Sequence, residues 1–453
     1  MKTIIKLETL VAAVAFAFLV FSCEKQEDVI VAPQEEIQVA EEQPVVENTD
    51  PYSTTTPTQL PETRLSLNWD QMKNISPGND FTFRFFERVY KDERNLYDVQ
   101  NMIMSPLSVQ FVCGMVGNYI EDSRALCKML GIEGDKIEGV NYYYKTLIED
   151  LVKEDNNTKL TLANALMTDV RSVRFPSDFI SAIKDYYQAE YLDFEAKTLT
   201  EQPRGERPED LWVKEKTDGM INLAPFPLFN KEYSLFNTIC FKGEWKYKFD
   251  VSCTTPLPFY VQDKNIGKVP MMNKNFVYPY YKNLYFRSVS IPIGDGSYFY
   301  TILLPNEGES IKTVLEELSS KSWDKLRNSL ENKYIHLGVP KYTANFEHQE
   351  LFSLLDKEFQ DDFLDQIDNK AFKDPENTAR FNKLSQRALF QINEDGATAA
   401  AVSQMILYTA PGDDNRIENF VADHPFVYTI SEAGSGLVLF MGTYSGKGAK
   451  KTE

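Results

Sequence analysis

From about Leu65 onwards the apolar residues fall into a helical rhythm: Phe81, Phe85, Val89 and Tyr90 share one face, which predicts an amphipathic helix packed against a core. Ser105-Pro106-Leu107-Ser108 reads as a stop and a restart. Ser105 is a candidate N-cap and Pro106 takes the first helical position, where its missing N–H costs nothing, so another helix is predicted towards Leu130. Further along, strands are predicted at Leu160 to Met167, Leu235 to Phe241, Ser297 to Leu304, Ile335 to Val339, Ala388 to Asn393 and Gly436 to Tyr444. Helices gather early and strands late, with no internal repeat and no second linker after residue 65. That segregation predicts one α+β domain over 65–446, followed by a short basic tail at 447–453.

The chain before this body has a different texture. Lys2 and Lys6 precede an uncharged run from Leu10 to Phe21, short for a membrane span but suited to the apolar middle of a secretory signal over 1–22. It ends in Val20-Phe21-Ser22-Cys23, which resembles the bacterial lipobox, although Phe21 stands where a small or aliphatic residue is usual. That resemblance implies lipidation at Cys23. Residues 23–64, beginning Glu24-Lys25-Gln26-Glu27-Asp28, are acidic and rich in Pro and Thr, and are expected to be a disordered tether reaching at most about 100 Å. Acidic residues just after a lipidated cysteine also resemble the surface-export signals of Bacteroidetes lipoproteins. A lipid-anchored protein of a bacterial outer membrane is therefore expected, surface-exposed or on the periplasmic face, touching the membrane through its anchor only.

Charge and rare residues narrow the chemistry. The 48 basic and 67 acidic residues give a net charge of −19, which repels phosphate backbones, so nucleic acid is not an expected partner. His336, His348 and His424 lie far apart and none has the close spacing of a zinc site, so no metal and no cofactor are expected. Cys113, Cys127, Cys240 and Cys253 form no CxxC pair and read as buried thiols, their disulfide state left open.

Several segments, in order, resemble the serpin family of protease inhibitors. Asn101-Met102-Ile103-Met104-Ser105-Pro106-Leu107-Ser108 is similar to its early N-x-x-x-S-P-x-S segment, and Leu162-Ala163-Asn164-Ala165-Leu166 to its first central strand. Asn237-Thr238-Ile239-Cys240-Phe241-Lys242-Gly243-Glu244-Trp245 is similar to N-x-x-x-F-K-G-x-W. Val269-Pro270-Met271-Met272, Leu303-Leu304-Pro305, His424-Pro425-Phe426 and Leu439-Phe440-Met441-Gly442 follow in family order. The resemblance implies helices packed on a large central sheet, an exposed reactive-centre loop, a monomer and no catalytic residue. It also implies that Ser105, Ser108, Asn237 and Trp245 lie where the central strands part. Gln386 stands where the family often has a histidine; it can hydrogen-bond but cannot charge, so altered local stability with retained loop insertion is expected.

Glu394-Asp395-Gly396-Ala397-Thr398-Ala399-Ala400-Ala401-Val402-Ser403 resembles the family's inhibitory hinge. So much alanine would by itself favour a helix. The implied mechanism needs something else: after a protease cuts the loop, this segment becomes a new strand inside a five-stranded sheet. Alternate residues of that strand, Ala397, Ala399, Ala401, Ser403, Met405 and Leu407, would point into the core, and none is charged or β-branched. Gly396 supplies backbone freedom at the pivot.

Counting from Gly396 by family spacing puts the cut at Ala410-Pro411, a bond most serine proteases resist. Thr409-Ala410, suiting elastase-like enzymes, is favoured narrowly over Tyr408-Thr409, which suits chymotrypsin-like ones. Counting back from Pro425-Phe426 points instead towards Asp414, and Arg416 would attract trypsin-like enzymes but leave too much slack. The expected partner is thus a serine, or else a cysteine, protease. A non-inhibitory binding protein of the same fold is the alternative. A hydrolase is disfavoured because Ser435, in Gly434-Ser435-Gly436, lacks the G-x-S-x-G elbow.

Overall fold

The computed structural model describes residues 56–96, 101–134, 136–153, 157–169, 175–194, 202–225, 233–370, 384–397 and 417–446. Six helices come first: α1 (Trp69–Met72), α2 (Ile75–Leu96), α3 (Pro106–Gly117), α4 (Arg124–Leu130), α5 (Glu138–Leu151) and α6 (Ser177–Tyr187). They are followed by α7 (Pro208–Lys216), α8 (Ile311–Glu317), α9 (Ser320–Asn328) and α10 (Lys357–Lys370). The largest sheet runs in the order β1 (Thr56–Pro57), β10 (Glu331–Pro340), β7 (Lys264–Lys282), β8 (Phe286–Ile293), β9 (Tyr298–Pro305), β15 (Phe426–Glu432), β16 (Val438–Tyr444), β2 (Met102–Met104). On it, β14 (Glu418–Val421) pairs with β10 and β6 (Thr254–Val261) with β7. A second sheet has the order β13 (Gly396–Ala397), β5 (Tyr233–Glu244), β3 (Thr158–Asp169), β4 (Glu190–Phe194); a third is the pair β11 (Tyr342–His348) and β12 (Gln386–Ile392). This is the expected α+β architecture.

Each layer follows from its pattern. Strands β8, β9, β15 and β16 are almost entirely buried, because helices and neighbouring sheets cover both of their faces. Helix α3 is buried on every side, as a helix apolar all round must be, and packs against β5 of the second sheet and β16 of the largest. Ser105 caps it as expected: its hydroxyl accepts from the Ser108 N–H at 3.2 Å, with Pro106 in the first turn.

Most strand ends shift from the sequence reading by one to four residues, and three differences of boundary have a physical reason. The helix predicted towards Leu130 is divided into α3 and α4. Gly117 lies so close to Leu126 and Ile137 that a Cβ there would be 2.7 Å from each, and Asn118 ends the helix with its side chain on the Gly114 carbonyl. The last strand starts at Val438, because Gly436, at φ +79°, belongs to the preceding turn. The boundary expected at residue 65 moves to Thr56: Thr56 and Pro57 pair with Asn332 and Glu331 of β10, and Thr63 and Arg64 are both bonded to the buried Glu432. Hydrogen bonds, which a composition argument does not see, fix residues 56–64 to the body. The rest of the expected tether, the signal segment and the tail at 447–453 lie outside the described residues.

Candidate functional site

The expected five central strands are present, but as three and two. β5 carries a full antiparallel ladder to β3, from Gly243–Thr158 to Tyr233–Thr168. On its other side it has two partners, Gly396 opposite Glu244 and Ala397 opposite Gly243. Across from it stands β12, laddered to β11 from Gln386–His348 to Ile392–Tyr342, with no described strand on its opposite edge. Between them lies a narrow cleft, lined by Leu235, Asn237 and Thr238 on one side and Ser385, Gln386 and Arg387 on the other. Thr238 Oγ1 and Ser385 Oγ are buried there with no hydrogen-bond partner among the described residues. Two facing strand edges with no ladder between them among the described residues are the geometry that accepts one more strand.

At the upper end of the cleft the chain has already turned to enter it. Asn393 makes the turn: its side-chain oxygen accepts from the N–H groups of Asp395 and Gly396 at 3.0 and 3.1 Å, and its own N–H donates to the Gly396 carbonyl. Trp245, buried at the end of β5, donates its indole N–H to the Asn393 carbonyl at 2.7 Å and its backbone N–H to Asp395 at 2.9 Å; Phe249 N–H donates to Glu394. Gly396 has φ +151°, and a Cβ there would lie 2.2 Å from the Gly243 carbonyl, so glycine is required by both conformation and space.

Glu394 locks this turn. It is 5% exposed; burial alone would raise its pKa, but the Lys341 ammonium at 2.7 Å and the Thr254 hydroxyl at 2.8 Å outweigh it and hold the carboxyl below the usual glutamate range. A carboxylate with a lowered pKa contributes its stabilisation above the ordinary value and loses it as pH falls through the folded one. Hydrogen exchange at the Phe249 amide is therefore expected to accelerate on acidification below about pH 4, beyond its intrinsic pH dependence, and Glu394→Gln should abolish that added response. An identical profile in the variant would show that Glu394 does not hold the hinge.

At mid-cleft the two halves grip the same helix terminus. Gln386 of β12 accepts from Ser105 N–H and donates to Ser105 C=O, both at 2.9 Å, so one amide satisfies one residue's buried backbone pair. The Ser105 hydroxyl donates to Leu439 C=O at 2.7 Å. On the β5 side Ser108 donates to Asn237, Asn237 to Asn164 of β3 at 2.7 Å, and Asn164 to the Tyr187 carbonyl at 2.7 Å. The N-terminus of α3 is thus a common footing for both edges, and each is attached to it by side chains alone.

Glu394, Gly396, Ala397 and Trp245 therefore meet at the upper end, and Ser105, Ser108, Asn237 and Gln386 at the middle. Thr398, Ala399, Ala400 and Ala401, the reactive-bond candidates Tyr408, Thr409, Ala410 and Pro411, and the lipidation candidate Cys23 lie outside the described residues. Sequence reasoning missed Asn393, Asn164, Thr254 and Lys341. Asn393 was readable as a turn residue before Glu394-Asp395-Gly396, whereas nothing local connects Lys341 to a partner 53 positions away. Of the cysteines, Cys113, Cys127 and Cys240 are buried as expected but Cys253 is exposed, on a short turn before β6. Burial pushes the Cys113 and Cys240 thiols up to about 12, which makes them poor nucleophiles.

Helices packed on three sheets, with a central sheet whose facing strands β5 and β12 share no ladder among the described residues, define the class of fold to which the chain belongs. The chain belongs to the serpin family: the family described as serpin (serine protease inhibitor) matches residues 76–446. The leukocyte elastase inhibitor of Xenopus laevis is 27% identical over 390 residues, covering 83% of this chain and 100% of that protein. Among solved structures, the native state of the thermophilic serpin tengpin aligns with TM-score 0.70 at 21% identity, over 86% of this chain and 96% of that one. Human thyroxine-binding globulin complexed with thyroxine aligns with TM-score 0.68 at 20% identity, over 83% and 98%. With these two structures the likeness is one of fold.

Proposed function

We propose that the protein is a suicide-substrate inhibitor of serine proteases. The observation that supports this best is the cleft between β5 and β12, spanned by no ladder among the described residues, with Gly396 and Ala397 paired to β5 at its upper end. The protease serine attacks the carbonyl of the residue before the scissile bond, forming an ester and releasing the amine of the next residue. The freed segment then enters the cleft and carries the acyl-enzyme with it, and the distorted enzyme hydrolyses its ester slowly. Serpin loop insertion is itself a standard example of strand addition.

Register supports a cut near residue 409. Continuing the pairing of Gly396 with Glu244 and Ala397 with Gly243 brings Ala401 opposite Ile239, Ser403 opposite Asn237 and Leu407 opposite Tyr233, the first residue of β5. An ester on Thr409 then sits just past the end of the strand, where the protease meets the body. An ester near Asp414 or Arg416 would leave several residues of slack. The small side chains of Thr409 and Ala410 suit an elastase-like enzyme, as does the name of the Xenopus relative. We further propose that the chain is held by lipid at Cys23 on a bacterial outer membrane, a reading supported by the lipobox-like Val20–Cys23 and the acidic run after it.

Incubation of the full chain with an elastase-like protease should yield an SDS-resistant covalent complex, with mass spectrometry placing the nick within Tyr408 to Ala410. Cleavage without capture would sink the inhibitory reading and leave a binding protein of the same fold.

A further inference from the structure

The segment Thr56–Ser66 makes one continuous set of contacts across three parts of the body. Its start pairs with the first residues of β10, on the same edge where β14 pairs parallel to Ile335–Gly338, so this segment and the strand after the reactive loop share one edge. Its middle is held at Glu432, which accepts from the Arg64 N–H at 2.9 Å and the Thr63 hydroxyl at 3.1 Å. Its end is held at the buried Asp150, which accepts from the Ser66 N–H.

Arg64 connects this segment to the hinge. Its guanidinium donates to the Lys153 carbonyl at 2.7 Å and to the Thr158 hydroxyl at 3.5 Å, and lies 5.3 Å from the Tyr298 ring centroid. Tyr298 meets Phe241 of β5 edge-on at 5.1 Å. Thr158 is the β3 partner of Gly243, whose other partner is Ala397, so Arg64 sits at the end of the row Thr158, Gly243, Ala397. The next residue of β5 is fixed from the same side: Glu244 N–H donates to Asn157 C=O at 2.9 Å, and Glu244 C=O accepts from Gly294 N–H at 2.8 Å. Glu244 is in turn the partner of Gly396.

We propose that Thr56–Ser66 is a strap, clasped by Arg64, that holds the upper ends of β3 and β5 in the position the hinge docks against. Loosening the strap loosens the hinge before any protease has cut. A pull on the chain N-terminal to Thr56 is then felt at Gly396. For its biological consequence this rests on the insertion reading, but its test does not need a protease.

Hydrogen exchange by mass spectrometry on the full chain compares wild type with Arg64→Ala. Losing a charge-assisted hydrogen bond and a cation–π contact is expected to speed exchange about tenfold both in the strap, at the Thr58 and Arg64 amides, and at the hinge contacts, the Trp245 and Phe249 amides. Arg64→Lys keeps the charge but loses the planar fork, so it should fall between the two, and it carries the comparison should Arg64→Ala not fold. A strap that exchanges freely while the Trp245 and Phe249 amides keep wild-type protection overturns the coupling. An unchanged strap in the variant overturns Arg64 as the clasp. A nicked protein that gains no stability counts against insertion alone.

Discussion

One cut between Tyr408 and Ala410 is expected to raise the melting temperature of the protein by about 10–15 °C. Along the continued register, residues 397–407 would span β5 from Gly243 to Tyr233, with β12 on the other side. Some ten net hydrogen bonds at roughly 1 kcal/mol each add about 10 kcal/mol, as much as a whole domain's ordinary stability. With about 2.1 cal/mol/K of unfolding entropy per residue, a body of roughly 380 residues gains about one degree per 0.8 kcal/mol. The intact form is then a kinetic trap. Scanning calorimetry of intact and nicked protein decides the matter. If the two melt together, no spring is stored.

Replacing Ala401 with arginine is expected to convert the inhibitor into a substrate. In the inserted strand, on the register continued from Gly396–Glu244, this position falls opposite the buried Ile239. An unpaired charge there costs several kcal/mol. Each 1.4 kcal/mol added to the insertion barrier shifts the partition between trapping and hydrolysis tenfold, so complex formation should fall by roughly a hundredfold or more. The intact protein should melt as before and be cut as fast. Thr398→Glu, on the other face of the strand opposite Lys242, should retain trapping. Equal complex yield from Ala401→Arg would mean that residue 401 never enters the sheet.

How far the sequence foretold this site depends on what each residue answers to. Ser105 and Pro106 are governed by helix-end chemistry within four residues, so the cap was legible; the six strands expected from apolar runs are present with displaced ends, whereas β7, β8, β11 and β15 were not foreseen. Gly396 was legible as a pivot, although its close approach to Gly243 was not, since that depends on a strand 150 residues away. Gln386 was readable as a group able to hydrogen-bond. That it would take both backbone groups of Ser105 follows only from packing. The division of the central sheet into three strands and two leaves no trace in periodicity, because β5 and β12 carry the same alternation whether or not they have a neighbour. The docking of Thr56–Arg64 was misjudged for a related reason: a Pro- and Thr-rich stretch has no apolar rhythm, yet a buried carboxylate at Glu432 holds it.

The facing edges of β5 and β12, joined by no ladder among the described residues, have one further implication. If they accept a strand as proposed, they recognise pattern and length, not connectivity, so the same slot would fit the matching peptide of a neighbouring copy as well as its own. On the proposed lipid anchor, copies would meet at high local concentration, and a cleft that stays ajar would then link molecule to molecule in open-ended chains. By this reasoning the grip of Gln386 and Asn237 on α3 protects the molecule from its own kind.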